Sequence, residues 1–245
     1  MGEQTTIDQN WIPSVRIVLS KYYPDYSSDR FAQLVLQNIN STDHVLEIGA
    51  GSGKNHQNHF ELRGKVARYV GVDLDPSVLS NAFLDASYQA GAESLPFENE
   101  TFDLVFHNYV AEHFESPLAC NREISRILKK GGLLLFQTPS RYYYPCVVAS
   151  VTPHWFHAFY VRHFGSGRTE KEVFPTFYRL NDSQSIGTQL RSCGLDCEIE
   201  FHSLPPGYLR FNKFAFLAGV FYERTLERRF PALRGKIIVS ARKVQ

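Results

Sequence analysis

The segment HVLEIGAGSGK, residues 44–54, carries the strongest structural signal in this chain of 245 residues. Its compact apolar run, 44–49, predicts a buried strand, because strands of a parallel sheet are covered on both faces. Gly49, Gly51 and Gly53 then predict a tight turn directly after that strand, since glycine adopts backbone angles that other residues avoid. An acid followed by so bare a turn indicates a site for a nucleotide-like ligand at the end of the strand.

Two common phosphate-binding motifs do not fit this turn. The dinucleotide fingerprint G-x-G-x-x-G would need its third glycine where Lys54 stands. The P-loop pattern G-x-x-x-x-G-K-S/T is absent from the sequence. The alternative that this segment is a plain structural turn remains open. However, three glycines in five residues increase the entropy cost of ordering the backbone, and few turns need all three.

Strand and helix patterns alternate around this segment. Further strands are predicted at 67–73, near 88–92, and at 102–108, 132–139, 197–204 and 235–243. Helices are predicted at 75–86, from Ser116-Pro117 to Gly131-Gly132, at 182–193 and near 210–229. This alternation predicts an α/β fold with a mostly parallel sheet that helices cover on both faces.

The two regions outside this alternation are the N-terminus and the segment after Pro139. Helical spacing predicts one helix behind Pro13 and a second that carries Phe31, Leu34 and Val35, begun by Ser28 or Asp29. We therefore expect a single domain over 1–245, with a helical cap at 1–40. The aromatic-rich insertion at 141–181 has no clean period and is the expected substrate lid.

Composition narrows the possible partners. The net charge is +1 and basic residues are spread along the chain, which argues against a nucleic-acid partner. Cys193 and Cys197 lack a second cysteine pair, so no metal site is expected. The N-terminus has no signal-peptide pattern, and uncharged runs are shorter than a spanning helix needs. These features predict a cytoplasmic protein without stable membrane insertion, either a monomer or a homodimer.

The spacing E-x-G-x-G-x-G formed by Glu47, Gly49, Gly51 and Gly53 resembles the first motif of class I S-adenosylmethionine-dependent methyltransferases. The ligand carries a sulfonium and an ammonium and no phosphate, so a nearby carboxylate is useful and a lysine is not required. The resemblance implies that Glu47 is the motif acid and that the three glycines form the loop under the ligand.

Later segments extend the resemblance to about residues 40–140. In VGVDLDP the family pattern implies that Asp73 accepts the ribose hydroxyls and that Leu74 packs on the adenine. In GAESLPFENETFDLVF it implies that Ala92 and Glu93 line the adenine, while Gly91 stands where the family usually has an acid. The segment REISRILKKGGLLLFQTPS matches the approach to the fifth strand.

The closest branch by resemblance is the methyltransferase type 11-like small-molecule group. It implies a Rossmann-like seven-stranded sheet whose last strand is antiparallel, with S-adenosyl-L-methionine as cofactor and S-adenosyl-L-homocysteine as product. We expect methylation of a small, hydrophobic or aromatic metabolite, by O-methylation in a biosynthetic pathway. Two alternatives stay open: C-methylation of a quinone- or lipid-like ring, and a non-catalytic protein that binds S-adenosylmethionine. A nucleic-acid methyltransferase is disfavoured, because HNYV stands where the N-methylating DNA and RNA enzymes carry their proline signature.

Candidate residues for the chemistry follow the fourth predicted strand. The family places residues that touch the methionine portion or the acceptor at Asn108 and Tyr109, and His113 is a candidate base with a suitable ordinary pKa. Packing against the loop explains His113 equally well.

The aromatic insertion and a later helix supply further candidates. Tyr143, His154 and His157 are expected to contact the substrate, and an aromatic core under the sheet is the alternative for this segment. The helix near 210–229 is expected to pack on the sheet, with a membrane-surface or dimer helix as its alternative.

Overall fold

The computed structural model describes residues 30–53, 60–151, 175–209 and 212–244. These residues belong to two compact units. The larger unit lies within 30–139, 176–200 and 237–245, and the smaller within 140–175 and 201–236. The helix predicted behind Pro13 lies outside the described residues, and the single domain with its cap and lid stays a prediction.

Seven strands form one sheet. In chain order they are β1 His44–Ile48, β2 Arg68–Asp73, β3 Ala86–Gln89, β4 Phe102–Asn108, β5 Leu128–Pro139, β6 Leu195–His202 and β7 Lys236–Lys243. Their order across the sheet is β3-β2-β1-β4-β5-β7-β6, and the sheet is mostly parallel with an antiparallel pair. The predicted Rossmann-like α/β fold is therefore confirmed.

The described helices are mostly short. The α-helices are α1 Arg30–Gln37, α2 Pro117–Ile127, α3 Tyr144–Val151, α4 Ser183–Ser192 and α5 Lys213–Tyr222. A π-helix, Glu223–Glu227, continues α5. Short 3-10 helices cover Pro76–Ser80, Ala111–His113, Gly207–Leu209 and Pro231–Leu233.

The sheet of the larger unit is covered by side chains on both faces. Neighbouring residues of a strand point to opposite faces of the sheet, so Phe106 and His107 contact different layers. On one face Phe106 packs edge-on against Phe31 of α1 and Phe60, at centroid distances of 6.4 and 4.9 Å. On the other face His107 meets Phe114, which precedes α2. Both faces are thus covered, as the continuous apolar runs require.

The carboxyl ends of β1, β2 and β4 lie at one edge of the sheet. In the parallel registers, Ile48 is paired with both Val72 and His107. The strand order changes direction between β1 and β4, because β2 and β3 extend one way and β5 the other. Ligands of open α/β sheets bind at such a switch point, outside the carboxyl ends of the strands.

Two helix predictions were wrong in extent. The helix predicted over 75–86 is only a 3-10 helix, Pro76–Ser80, because the Asn81 side chain bonds the glycine turn and diverts the chain. The helix expected to reach Gly131-Gly132 ends at Ile127, because Leu128 already pairs with Phe102 of β4. Strand β5 therefore begins four residues before the predicted 132.

The smaller unit contains α3, α5 and the π-helix. The helix predicted near 210–229 is confirmed as α5, which changes to π geometry at Glu223. Asn212 caps α5, because its Oδ1 accepts the N–H groups of Phe214 at 2.8 Å and Ala215 at 3.2 Å. Gly219 allows close packing: a Cβ there would lie 2.7 Å from Pro206 and 2.8 Å from Leu209.

Candidate active site

The glycine turn after β1 is built from left-handed backbone. Gly49, Gly51 and Gly53 have φ of 78°, 54° and 74°. A side chain at Gly49 would clash with Val110, and a Cβ at Gly53 would lie 2.8 Å from the Asn81 Oδ1. Among the described residues, a Cβ at Gly51 would meet no atom within 4 Å. The outer two glycines are therefore required by packing, whereas Gly51 faces open space.

Asp73 ties the end of β2 to this turn. Its Oδ2 accepts the N–H of Gly51 at 2.9 Å, and its Oδ1 accepts the N–H of Asp75 at 2.9 Å. A carboxylate has about four acceptor positions, so each oxygen keeps a second one for a ligand hydroxyl. The acid predicted to hold a ribose thus lies beside the one glycine of the turn with open space over it.

Asn81 holds the turn from the opposite side and was missed by the sequence analysis. Its Nδ2 donates to the carbonyl oxygens of Ala50 at 3.1 Å and Gly51 at 3.0 Å. Its Oδ1 accepts the N–H of Phe83 at 3.0 Å. An asparagine inside a predicted helix is a usable signal, because its side chain competes for backbone hydrogen bonds.

Glu47 does not lie on an open surface. Only 4% of it is exposed, and its carboxyl accepts a hydrogen bond from the hydroxyl of Tyr69. Burial raises the pKa of Glu47 to about 7, the Tyr69 hydrogen bond opposes that rise, and the charge of Asp73 adds to it. The phenol of Tyr69 has a raised pKa from burial and from the Glu47 charge. A direct contact between Glu47 and the methyl donor stays a prediction.

The residues expected around the adenine are partly exposed. Leu74 is 64% exposed beside Asp73, and a Cβ at Gly91 would lie 3.3 Å from its Cδ2. Ala92 is half-buried, and Glu93 is exposed and accepts the N–H of Ser116 at 3.2 Å. Leu74 therefore offers an apolar surface next to the carboxylate, while Glu93 already binds the residue before α2. The predicted adenine contacts of Ala92 and Glu93 stay predictions.

Asn108 and Tyr109 follow β4 at the switch point. The Asn108 Oδ1 accepts a hydrogen bond from the Nε2 of Gln137 at 2.5 Å, and the Tyr109 N–H donates to the Gln137 carbonyl at 3.0 Å. Tyr109 has a φ of 54°, a conformation that costs a non-glycine residue about 1–2 kcal/mol. Its ring is 39% exposed. Such strain clusters at functional sites, which fits the predicted role of Tyr109.

His113 ends the 3-10 helix that follows Tyr109. It is half-buried, and its N–H donates to the Val110 carbonyl at 2.9 Å. The neighbouring Glu112 is 6% exposed, and burial raises the pKa of its carboxyl although His113 acts in the opposite direction. The short helix thus brings a histidine and a buried acid to the same edge as the glycine turn.

A buried polar chain anchors Glu112. Its Oε2 accepts the hydroxyl of Thr138 at 3.1 Å, and that hydroxyl accepts the Nδ2 of Asn181 at 2.7 Å. The Glu112 carbonyl also accepts the N–H of Phe177 at 2.8 Å. The segment before α4 is thereby fastened to the ends of β4 and β5. The sequence offered no signal for this chain, because its members are far apart along it.

His107 is a second buried titratable group near the site. Its ring stacks on Phe136 at 4.6 Å, and within the described residues neither ring nitrogen has a hydrogen-bond partner. Burial lowers the pKa of His107 to about 3. The unfolded chain takes up this proton near pH 6.5, so the folded state loses stability as the pH falls from about 6.5 towards 3.

Of the residues predicted to contact the substrate, only Tyr143 is described. It belongs to the smaller unit, where it is 5% exposed and its ring lies 4.8 Å from that of Tyr144. His154 and His157 lie outside the described residues. Among the residues that the structure describes, no three His, Cys, Asp or Glu side chains could together hold a metal ion. No helix in this part of the chain is long and apolar enough to cross a membrane.

The edge geometry fits S-adenosyl-L-methionine. The turn leaves open space over Gly51, the Asp73 carboxylate is fixed beside it, and Leu74 offers an exposed apolar side chain. In this arrangement the Gly51 backbone would face the methionine portion of the ligand, Asp73 would bind the ribose and Leu74 would cover the adenine. No lysine or arginine is needed, since the ligand carries no phosphate.

The family model described as a methyltransferase domain, Methyltransf_11, matches residues 46–136. The malonyl-(acyl-carrier protein) O-methyltransferase 1 of Coxiella burnetii is 31% identical over 150 residues, covering 60% of this chain and 46% of that protein. The ubiquinone/menaquinone biosynthesis C-methyltransferase of Hahella chejuensis is 33% identical over 101 residues, covering 37% of this chain and 41% of that protein. The chain thus spans less than half the length of these curated relatives.

Solved structures agree on the fold. The crystal structure of the (4+2)-cyclase SpnF matches with a TM-score of 0.55 and 18% identity, covering 88% of this chain and 80% of that protein. At this identity the likeness concerns the fold alone. The matched segment 46–136 contains the glycine turn, Asp73, Asn108 and His113. Residues 46–136 therefore form a methyltransferase domain of the class I S-adenosylmethionine-dependent type.

Proposed function

We propose that this protein transfers a methyl group from S-adenosyl-L-methionine to a small, hydrophobic or aromatic metabolite, by O-methylation. The observation that carries the proposal is the pairing of Gly51, with open space above it, and the Asp73 carboxylate fixed 2.9 Å from its N–H. When bound, the donor supplies an activated methyl on a sulfonium. A site for this donor needs glycines that let the backbone approach it and a carboxylate that accepts hydrogen bonds from the ribose hydroxyls. Both must lie at the carboxyl ends of the strands.

The residues of this edge have separable roles in the proposal. Asp73 orients the ribose through the acceptor positions that the backbone does not use, and Leu74 covers the adenine. Tyr109 positions the acceptor, because its strained backbone turns an exposed ring out at the switch point. Such positioning of two reactants can lower a barrier by about 7–11 kcal/mol.

His113 is the proposed base where the acceptor is a hydroxyl. A methyl transfer to oxygen releases a proton, and a histidine can take it near neutral pH. The preceding residue, Glu112, is fastened by Thr138, which helps to fix the short helix that carries His113.

A hydrophobic or aromatic acceptor is supported by the smaller unit. Tyr143 and Tyr144 meet edge to face, and Tyr144 meets Tyr222 with centroids 6.1 Å apart. Aromatic clusters with few polar groups are typical linings of small-molecule sites. The direct role of Tyr143 in binding the acceptor is part of this proposal.

C-methylation is a second candidate reaction. It is favoured by the similarity to the quinone-biosynthesis C-methyltransferase, which is 33% identical over 101 residues. Carbon and oxygen acceptors need the same donor site, so the geometry of the glycine turn supports both. The two differ in the bond formed, carbon–oxygen or carbon–carbon, which the NMR chemical shift of the new methyl group on a quinol would distinguish.

Calorimetric titration with S-adenosyl-L-homocysteine tests the donor site. We expect the wild type to bind and Asp73→Ala to bind about 100-fold more weakly, since each lost hydrogen bond to a charged group costs about 1.5 kcal/mol or more. Asp73→Asn keeps one carbonyl oxygen as an acceptor, so an intermediate loss of about tenfold is expected.

Asp75→Ala is the matched control. Asp75 is exposed, lies two residues away and caps the 3-10 helix by accepting the N–H of Ser77 at 2.8 Å. Its removal should leave the affinity for S-adenosyl-L-homocysteine within about twofold of the wild type. Equal affinity of Asp73→Ala and the wild type, in proteins with equal melting temperatures, would refute the ribose assignment.

A further inference from the structure

The outer surface of α5 and the π-helix carries large apolar side chains. Phe214 and Phe221 are 80% and 71% exposed, and Leu217 between them is 40% exposed. Their spacing of three and four residues places them on one side of the helix. Leu226 and Phe230 extend the apolar surface beyond α5, with 45% and 53% exposure. We call the segment 212–230, with these five exposed apolar side chains, the apolar–basic surface.

The exposed charges of the same surface have one sign. Lys213 lies at the start of α5, and Arg224, Arg228 and Arg229 follow its end, all four exposed. The guanidinium of Arg229 lies 5.7 Å from the centre of the Phe230 ring. Cationic and apolar side chains therefore alternate along one exposed surface of the smaller unit.

The acidic residues of this segment point the other way. Glu223 and Glu227 are its two acids, and they are 3% and 0% exposed. Burial raises the pKa of Glu227 to about 7, while Ser203 and Arg234 oppose the rise. The π geometry between residues 223 and 227 accompanies this inward placement. The segment 212–230 therefore has exposed cations and no exposed acid.

We propose that the apolar–basic surface docks on an anionic lipid surface. Interfacial helices combine an exposed apolar face, rich in Phe and Leu, with Lys and Arg that reach the headgroups. The exposed cations Lys213, Arg228 and Arg229 complement the negative charge of such lipids. The helix lies on the surface and does not span it, since α5 has only 10 residues.

A second copy of the chain is a poorer occupant for this surface. Two-fold dimers bring the same patch of both subunits together, so this patch would meet a second patch of the same positive charge. Like charges brought together destabilise an interface. The charge pattern therefore favours an anionic partner, and the proposal stands whether or not the methyl-transfer proposal holds.

Sedimentation with lipid vesicles tests the proposal. The full-length protein is mixed with vesicles of phosphatidylcholine alone or of phosphatidylcholine with phosphatidylglycerol. We expect binding to the anionic vesicles that is about tenfold or more above that to the neutral ones and that weakens with added salt. Equal binding to both vesicles, or none to either, would overturn the proposal.

Variants separate the apolar from the cationic contribution. Phe214→Ser with Phe221→Ser should lower the partition coefficient by about tenfold or more, because two exposed rings no longer enter the lipid. Arg228→Gln with Arg229→Gln should lower it by about 25-fold on anionic vesicles, at about fivefold per cation. These side chains are exposed, so melting temperatures should stay close to that of the wild type.

Matched controls come from the larger unit. Leu36, 49% exposed on α1, is changed to Ser, and Arg122, exposed on α2, is changed to Gln. Both variants should bind anionic vesicles like the wild type. If they lose binding as the surface variants do, the effect is general and the proposal fails. A concentration-dependent dimer that Phe214→Ser with Phe221→Ser abolishes, without vesicle binding, would assign the surface to a second copy instead.

Discussion

Changing Gly51 to alanine would separate ligand binding from folding at the glycine turn. The residue has a φ of 54°, so alanine must adopt a left-handed conformation. Its Cβ would meet no atom of the described residues within 4 Å, and the N–H that donates to Asp73 is retained. The only new group is one methyl, placed in the space that we assign to the methyl donor.

The expected magnitudes follow from this geometry. The left-handed conformation costs alanine about 1–2 kcal/mol in the free energy of unfolding. No clash adds to this cost, in contrast to Gly49, where a side chain would strike Val110. In the ligand complex the methyl fills the space of the bound molecule, so the affinity should fall by about tenfold or more, which corresponds to at least about 1.4 kcal/mol.

Gly64→Ala is the control for backbone strain. Gly64 has a φ of 79°, and in the part of the chain that the structure describes a Cβ there would also meet no atom within 4 Å. Urea unfolding should show a similar loss of stability for both variants, about 1–2 kcal/mol. Titration with S-adenosyl-L-homocysteine should show weaker binding for Gly51→Ala and unchanged binding for Gly64→Ala.

The two variants together test whether the space over Gly51 is the donor site. If Gly51→Ala binds S-adenosyl-L-homocysteine as tightly as Gly64→Ala, the open space over Gly51 is not the donor site. If both variants lose affinity equally, the loss reflects strain and not the position of the methyl. Either result would remove the observation on which the proposed function rests.

Two further predictions concern histidines. His107→Phe should remove acid sensitivity: the wild type should lose about 3 kcal/mol of stability between pH 8 and about pH 4.5 through this ring, because the unfolded chain binds the proton and the folded chain does not. Urea unfolding across this range checks it, and an unchanged pH slope in the variant would contradict it. His113→Ala should slow turnover by about 10²–10⁴-fold while the affinity for S-adenosyl-L-homocysteine stays normal. A radiolabelled methyl-transfer assay measures this, and full activity would reduce His113 to a packing residue.

The strands were the most predictable part of the fold. The apolar runs placed β1, β2 and β4 within one residue of their observed ends, because a strand covered on both faces must be apolar throughout. Helix α4 was predicted with similar accuracy, because both of its ends carry local signals. Asp182 caps it by accepting the N–H of Ser185 at 2.9 Å, and Gly194 follows it with a φ of 73°. Such signals are local, so they can be read from the sequence alone.

Local signals failed where distant residues compete for the backbone. The segment 75–86 has helical spacing, but the Asn81 amide is bound by carbonyls of the glycine turn about thirty residues earlier. Helix α2 ends before its predicted glycine stop, because Leu128 pairs with Phe102 of the sheet. In both places a tertiary contact replaced the structure that local propensity favours.

The candidate site divides in the same way. The three glycines, Asp73 and Tyr109 were predicted from the resemblance to methyltransferase motifs, and each lies just after a strand or at its end. The hydrogen-bond partners of the neighbouring acids were not predicted. Tyr69 donates a hydrogen bond to Glu47 inside the core, and Thr138 and Asn181 form a hydrogen-bonded chain with Glu112. These partners are up to 69 residues apart in the chain, from Glu112 to Asn181, so no spacing rule could bring them together.

Sequence patterns alone were therefore enough to predict the α/β fold, the sheet edge that carries the candidate site, and the acid and glycines at that edge. Three features became visible only in the folded chain: Glu47 is buried and bonded to Tyr69, no described residue fills the space over Gly51, and the acids of 212–230 face inward while the cations face out. The physical reason is that periodicity reports which residues avoid water, whereas burial of a particular polar group depends on neighbours that folding brings from elsewhere in the chain.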